Sequence, residues 1–243
     1  MISFLGKCVE NFITALKYIC SGQMRLKHAI TQAAAISYDS LFISLIISFV
    51  AAAVITIQIS KQFLMSGADS YIGGTITVMI IREIAPAFVA LSIGARAGTA
   101  ISAEIANMKV TEQVDAIKTL KVDPVGYYFA PRLLSSAITV PMVTIIAELV
   151  GVLGGMVVAY MTIKLHPHRY INSVWAWLKL KDFYISIFKA LIFGLLIADV
   201  CATQGYETTG GAKEVGISTT QAAIKSTIYL LMADFIINFV FYL

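Results

Sequence analysis

Residues Ile80–Pro124 decide the fold, and they read IIREIAPAFVALSIGARAGTAISAEIANMKVTEQVDAIKTLKVDP. The stretch begins in an apolar run that contains the adjacent charges Arg82 and Glu83, and it continues through a tract of small residues. It ends in a short charged segment, which Asp123–Pro124 stops because a residue before proline disfavours the α-helical region. The stretch therefore contains three features in succession: charges inside a hydrophobic segment, small residues that allow close helix packing, and a water-soluble helix.

The composition of the 243-residue chain is typical of a polytopic α-helical membrane protein. Hydrophobic residues make up 58% and charged residues 13%, whereas about 25% of an ordinary soluble domain is charged. Its apolar runs reach the roughly 20 residues that a helix needs to cross a hydrocarbon core. We expect a single all-α membrane domain over residues 1–243. No basic cluster interleaved with aromatic residues indicates a nucleic-acid partner, and the spacing of the three cysteines indicates neither a metal site nor a disulfide framework.

Hydropathy divides this domain into one surface helix and a bundle. Residues 1–24 have the period of an amphipathic helix that lies in the membrane interface. The bundle occupies residues 38–243, and its five predicted spans are Tyr38–Ile59, Tyr71–Met108, Leu133–Ile163, Phe183–Thr203 and Ala222–Leu243. Polar residues predict loops at Lys61–Asp69, His166–Asp182 and Gly205–Thr220. A soluble helix is predicted at residues 111–121, with Thr111 as its cap.

The placement of basic residues predicts the orientation. Four of them precede the first span and one follows it, so the N-terminus is expected in the cytoplasm; the four are Lys7, Lys17, Arg25 and Lys27. The segment Lys109–Arg132 is then cytoplasmic. The loop at residues 164–182 falls outside and carries four basic residues, against the positive-inside rule.

Charges within the spans are the candidate binding residues. An ionisable side chain at membrane depth costs about 2.5–3.5 kcal/mol by insertion scales, so it usually faces a cavity or a partner. Neighbouring residues on a helix point in different directions, so Arg82 and Glu83 are expected to have different partners. Cationic Arg82 and Lys189 suit a phosphate-bearing head group, and a purely structural role for these charges is equally open. Glu83, Glu148 and Asp234 alternatively suit the proton relay of a secondary transporter.

Small residues recur every four positions at Gly94, Gly98 and Ser102, which lets helix backbones approach closely within the chain or across a dimer. The glycine-rich segment that begins at Gly205 lacks the Lys-Ser/Thr pair of a phosphate-binding loop. Any use of ATP therefore belongs to another chain.

The run REIAP…GARAGTAISAEIANMKVTEQVDAIKTLKVDPVGYYFAPR and the later GGAKEVGISTTQAAIKS resemble the MlaE family of ABC-transporter permeases, which move phospholipids. The resemblance covers about residues 25–243. It implies a homodimer in the inner membrane, driven by a cytosolic ABC ATPase that binds ATP and magnesium, with no cofactor in this chain. It further implies an MCE-domain protein on the outer side and, in some systems, a STAS-domain protein.

The resemblance also implies roles for individual residues. Arg82 and Glu83 fall on the Arg-Glu pair of the family, where Arg82 would face the lipid head group. Lys189 and Asp234 fall on a lysine and an acidic residue of the last two spans. Residues 111–121 become the coupling helix that the ATPase receives, with Thr111, Glu112, Asp115 and Lys118 on it.

Three rival functions stay open. A stand-alone proton-coupled transporter using Glu83, Glu148 and Asp234 predicts activity without an ATPase and internal repeats, which the sequence does not show. An intramembrane enzyme needs a nucleophile and a base in the spans, and no histidine lies in them. A scaffold subunit predicts that neutral replacements of Arg82 and Lys189 leave transport intact.

Overall fold

The computed structural model describes residues 2–22, 24 and 26–242, and over these residues it is helical without strands. Predictions for Met1, Gln23, Arg25 and Leu243 lie outside the described residues. The helices are α1 Ile2–Cys20, α2 Leu26–Met65, α3 Ile72–Val110, α4 Gln113–Thr119, α5 Pro124–Ile163, α6 Pro167–Trp177, α7 Leu180–Tyr206 and α8 Ala212–Tyr242. The predicted all-α fold is confirmed.

Five of these helices are long and apolar enough to cross a membrane, counted over the part of the chain that the structure describes. They are α2, α3, α5, α7 and α8. Each corresponds to one predicted span, and each is longer than that span at one end or both. The protein is therefore a multi-pass membrane protein.

All three predicted loops are partly helical, and α2 includes Lys61–Met65 of the first of them. Most of Gly205–Thr220 is helical, because α7 runs to Tyr206 and α8 begins at Ala212. Glycine and threonine content predicted a loop there, but Ser218 packs against Ser102 and is buried, so contacts with α3 outweigh the low helix propensity. The predicted loop His166–Asp182 contains α6, which starts with Pro167 in the first turn, a favourable place for proline in a helix.

The chain forms two compact units. Unit 2 consists of Leu41–Val89 and Pro141–Ala190. Its core is aliphatic and centres on the buried side chains of Ile76, Ile80 and Tyr170. Gly73 lets α6 approach the first turn of α3, because a Cβ at this position would lie 2.5 Å from the carbonyl oxygen of Tyr170.

Unit 1 consists of the described residues of Met1–Ser40, Ala90–Val140 and Leu191–Leu243. In it, α1 packs on α7 and α8 through a small cluster around Cys8, Val200 and Tyr229. A second apolar strip on α1 stays exposed, and it consists of Leu5, Val9, Ile13 and Leu16. A helix with one face on protein and another apolar face exposed is suited to the membrane interface.

Candidate functional site

The Arg82–Glu83 pair lies on a widened turn of α3. Residues Ile80–Ile84 form a π-helical turn, in which the N–H of Ala85 bonds to the carbonyl oxygen of Ile80, five residues back. Single π turns inside α-helices occur frequently at functional sites. This one interrupts the regular hydrogen-bond ladder at the position of the two charges.

Pro86 adds a second interruption. Proline has no N–H, so it cannot bond to the carbonyl of the residue four positions earlier, which is Arg82. The Lys189 ammonium donates to that carbonyl oxygen at 2.8 Å instead. A side chain from α7 thus satisfies a backbone acceptor that the sequence of α3 leaves open.

Lys189 also forms an ion pair with Glu83. Its Nζ lies 3.0 Å from Oε1 of Glu83, and the lysine side chain has no exposed surface, whereas that of Glu83 is 44% exposed. The carboxylate compensates the buried ammonium, which would otherwise be costly in an apolar interior. Lys189 therefore has a positioning role in this structure: it fixes both the backbone of the π turn and the direction of Glu83.

Arg82 pairs with a different residue of α7. Its Nε donates to Oδ1 of Asp182 at 2.9 Å, and Asp182 is buried. The other carboxylate oxygen of Asp182 accepts from the N–H of Lys179 at the start of α7, so Asp182 also caps that helix. The arginine side chain is 34% exposed. The guanidinium is therefore held in a fixed direction at an accessible surface.

Glu148 on α5 is buried, and Oγ of Ser186 on α7 donates to its Oε1. The fourth predicted binding residue, Asp234, lies in unit 1 on α8, where Nδ2 of Asn238 donates to it at 3.4 Å. The structure thus brings Arg82, Glu83 and Lys189 together through α7. Direct contact of any of them with a substrate stays a prediction.

The small-residue tract packs inside unit 1. Gly94 and Gly98 face Ile197 of α7, and a Cβ at Gly98 would lie 2.8 Å from Sγ of Cys201. Ser102 Oγ lies 3.2 Å from Oγ of Ser218 on α8. The structure gives these three residues contacts within the same chain.

The predicted coupling helix is α4, and it begins at Gln113 rather than at Thr111. The Thr111 hydroxyl bonds back to Asn107 at the end of α3, so it does not cap α4, and Glu112 occupies the turn with a positive φ of 60°. Asp115 accepts from Lys118 at 3.0 Å, and this hydrogen bond, with the nearby charge of Lys109, lowers the pKa of the Asp115 carboxyl. The pair is therefore charged at neutral pH.

Sequence reasoning missed two carboxyl groups. The polar sequence around Asp182 predicts a loop, and Asp199, which lies within the fourth predicted span, is as isolated in apolar sequence as Lys189. The rule that selects ionisable residues in spans also selects Asp199. No local pattern shows that Asp182 pairs with Arg82, because 100 residues separate them.

Comparisons with known proteins agree with this architecture. The chain matches the family model described as Permease MlaE over residues 29–240. It is 34% identical to a probable ABC transporter permease protein of Synechocystis sp., over 93% of this chain and 86% of the relative. It is 33% identical to a probable ABC transporter permease protein of Rickettsia typhi, over 92% and 86%. It is 29% identical to the chloroplastic protein TRIGALACTOSYLDIACYLGLYCEROL 1 of Arabidopsis thaliana, over 92% and 64%.

Proposed function

Because the chain belongs to the MlaE permease family, we propose that it is the membrane subunit of an ATP-driven phospholipid transporter. Two copies form a dimer that encloses a lipid-binding cavity, and a separate cytosolic ABC ATPase binds ATP and magnesium. This chain binds and releases lipid and carries out no covalent chemistry. The name of the Arabidopsis relative contains that of a glycerolipid, which supports a lipid as the transported molecule.

The observation that carries the proposal is the different exposure of the two cations on the candidate site. Lys189 is fully buried and forms an ion pair with Glu83. The Arg82 side chain is 34% exposed, and its ion pair with Asp182 fixes its direction. A guanidinium is suited to phosphate, because its planar fork of donors matches the phosphate oxygens. In this proposal Arg82 contacts the lipid phosphate, Glu83 lies beside the head group, and Lys189 holds the π turn in place.

The coupling step uses α4. This helix is short, and its charged residues Asp115 and Lys118 are exposed, while Val114 anchors it in unit 1. We place it on the cytoplasmic side, with the N-terminus, in the inner membrane. ATP binding in the partner moves α4, together with Thr111 and Glu112 at its start, and this movement closes the lipid cavity. An MCE-domain protein receives or supplies the lipid on the outer side, and a STAS-domain protein is a further partner in the assembly.

The proton-relay alternative has less support. Glu83 forms an ion pair with Lys189, and Glu148 accepts from Ser186, so each carboxylate has a structural partner. The relatives are named as ABC transporter permeases, which use a separate ATPase. A proton-coupled carrier would transport without that ATPase.

The test replaces the Arg82–Asp182 ion pair by an amide pair, Arg82→Gln with Asp182→Asn. The amides retain a hydrogen bond at this position, so the fold is kept while both charges are removed. Purified wild-type and variant complexes are compared by native mass spectrometry for bound phospholipid. We expect the amount of phospholipid bound to the variant to fall about tenfold or more, since hydrogen bonds to charged groups contribute about 1.5–3 kcal/mol.

The matched control is Lys7→Gln with Glu207→Gln, which replaces an ion pair of unit 1 by amides and keeps Arg82, Asp182, Glu83 and Lys189. It should retain more phospholipid than the amide-pair variant. Equal phospholipid in the amide-pair variant and the wild type would show that Arg82 only stabilises the fold.

A further inference from the structure

Unit 1 contains a cavity whose lining residues all belong to this unit. It has a volume of about 450 Å³ and is bounded by α1, α7 and α8. Pockets that bind small molecules have volumes of about 300–1,000 Å³. This cavity is therefore large enough for a single-chain amphiphile.

The wall of the cavity is almost entirely hydrocarbon. Leu5, Val9 and Phe12 of α1 form one side, and Leu195, Met232 and Ile236 of α7 and α8 form the other. Several of these side chains are also exposed, among them Val9, Met232 and Ile236. The cavity thus opens on the surface of the protein, at the helix whose apolar strip suits the membrane interface.

One ionisable group interrupts this wall. Asp199 lines the cavity and is only 5% exposed, and its Oδ1 has no hydrogen-bond partner. Among residues 2–22, 24 and 26–242, no ion pair joins Asp199 to a cation. Without a cation beside it, this carboxyl group is costly to ionise in an apolar environment, and ionisable residues within spans usually have a functional partner.

The other polar groups around Asp199 do not supply that partner. Lys225 donates to Gln204 at 2.6 Å, and its ammonium lies 3.8 Å from the centre of the Phe4 ring. Burial, and next the charge of Asp199, raise the pKa of the Cys8 thiol to about 12, so this thiol stays uncharged at neutral pH. The hydroxyl of Tyr229, which also lines the cavity, has no hydrogen-bond partner either.

We propose that this cavity binds a single-chain amphiphile with a primary ammonium head. The alkyl chain contacts the hydrocarbon wall, and the ammonium pairs with Asp199 and donates to the hydroxyl of Tyr229. A carboxylate head is rejected, because it cannot offset a charge on Asp199 and would itself be buried without a cationic partner. Binding of this amphiphile does not require lipid transport through Arg82.

The experiment uses photoreactive dodecyl probes that carry a diazirine and differ only in the head group: amine, alcohol or carboxylic acid. The full-length protein in nanodiscs of zwitterionic lipid is irradiated with each probe, and labelled peptides are quantified by mass spectrometry. The amine should label the peptides that contain Leu5–Phe12 and Met232–Ile236 at least tenfold more than the carboxylic acid does. Equal labelling by the three probes would overturn the proposal, because it would show that the cavity takes any hydrocarbon chain.

Two variants separate the head group from the cavity. Asp199→Asn should reduce labelling by the amine to the level of the alcohol, and Ala233→Phe, which fills the cavity, should abolish labelling by both. Leu231→Phe adds the same bulk to an exposed position of α8 and should leave labelling unchanged. Undiminished labelling in Ala233→Phe would overturn the proposal. The comparison of head groups on the wild type decides the question even if Asp199→Asn does not fold.

Discussion

At the scale of single residues, the candidate site depends on an acceptor that proline leaves open. Pro86 lacks the N–H that would bond to the Arg82 carbonyl, and Lys189 donates to it from α7. The same ammonium pairs with Glu83. One buried lysine therefore fixes the backbone and a side chain at the turn that presents Arg82.

Lys189→Met tests this role. The substitution removes the Lys189 hydrogen bond to the Arg82 carbonyl and the Lys189 ion pair with Glu83, so we expect the free energy of unfolding to fall by about 1–3 kcal/mol. Thermal unfolding of the purified protein in detergent measures the loss. Lys213→Met, at an exposed position near the start of α8, should change stability by less than about 0.5 kcal/mol. An equal effect of both substitutions would contradict the positioning role of Lys189.

The sequence predicted part of this site. Ionisable residues in apolar runs identified Arg82, Glu83 and Lys189, because such residues are expensive in a membrane and need a partner. Helix geometry predicted that Arg82 and Glu83 have different partners, and they do. The identity of the partners required the structure, since both lie about 100 residues further along the chain. The π turn at Ile80–Ile84 was also not predicted.

At the scale of helices, close packing of α3 on α7 depends on glycine. A Cβ at Gly205 would lie 2.5 Å from the carbonyl oxygen of Ser102, which is backbone and cannot move aside cheaply. Gly205→Ala should therefore destabilise the protein by about 1–3 kcal/mol, as overpacking does. The shift of the thermal unfolding temperature measures this effect.

Gly216 on α8 provides the control, because a Cβ at this position meets nothing within 4 Å. Gly216→Ala should leave the stability of the protein unchanged or raise it by up to about 1 kcal/mol, since alanine has a higher helix propensity than glycine. If Gly205→Ala were as well tolerated as Gly216→Ala, this result would contradict the close contact between the backbones of α3 and α7 at Gly205.

The charged surface of α4 carries the proposed coupling. Lys118→Glu places a like charge beside Asp115, on a side chain that is exposed, so the fold should change by less than about 0.5 kcal/mol. In the reconstituted complex, ATP-dependent lipid transfer should fall several-fold. Lys61→Glu at the exposed end of α2 should leave transfer unchanged. Full transfer by Lys118→Glu would argue against coupling through this part of α4.

Helix prediction succeeded where length and hydropathy decide the structure, and it failed where tertiary contacts do. The five spans follow from apolar length. The start of α8 was predicted as a loop because its glycines and threonines are poor helix formers, yet Ser218 is buried against α3. Similarly, α6 lies within a polar segment, where the buried faces of Tyr170 and Ser173 hold it on the first turns of α3.

At the scale of the whole molecule, the chain is a membrane-spanning permease, and its family indicates that a separate ATPase is its partner. It belongs to a family of ABC transporter permeases, and its glycine-rich segment lacks the phosphate-binding residues of an ATPase. The proposed assembly therefore contains two permease copies and two ATPase subunits, with phospholipid bound in the permease dimer.

Native mass spectrometry of the complex purified from its own membrane tests the proposed assembly. We expect a particle that contains two copies of this chain and two copies of an ABC ATPase, and that releases phospholipid on activation in the gas phase. A chain that purifies without an ATPase and without phospholipid would contradict it.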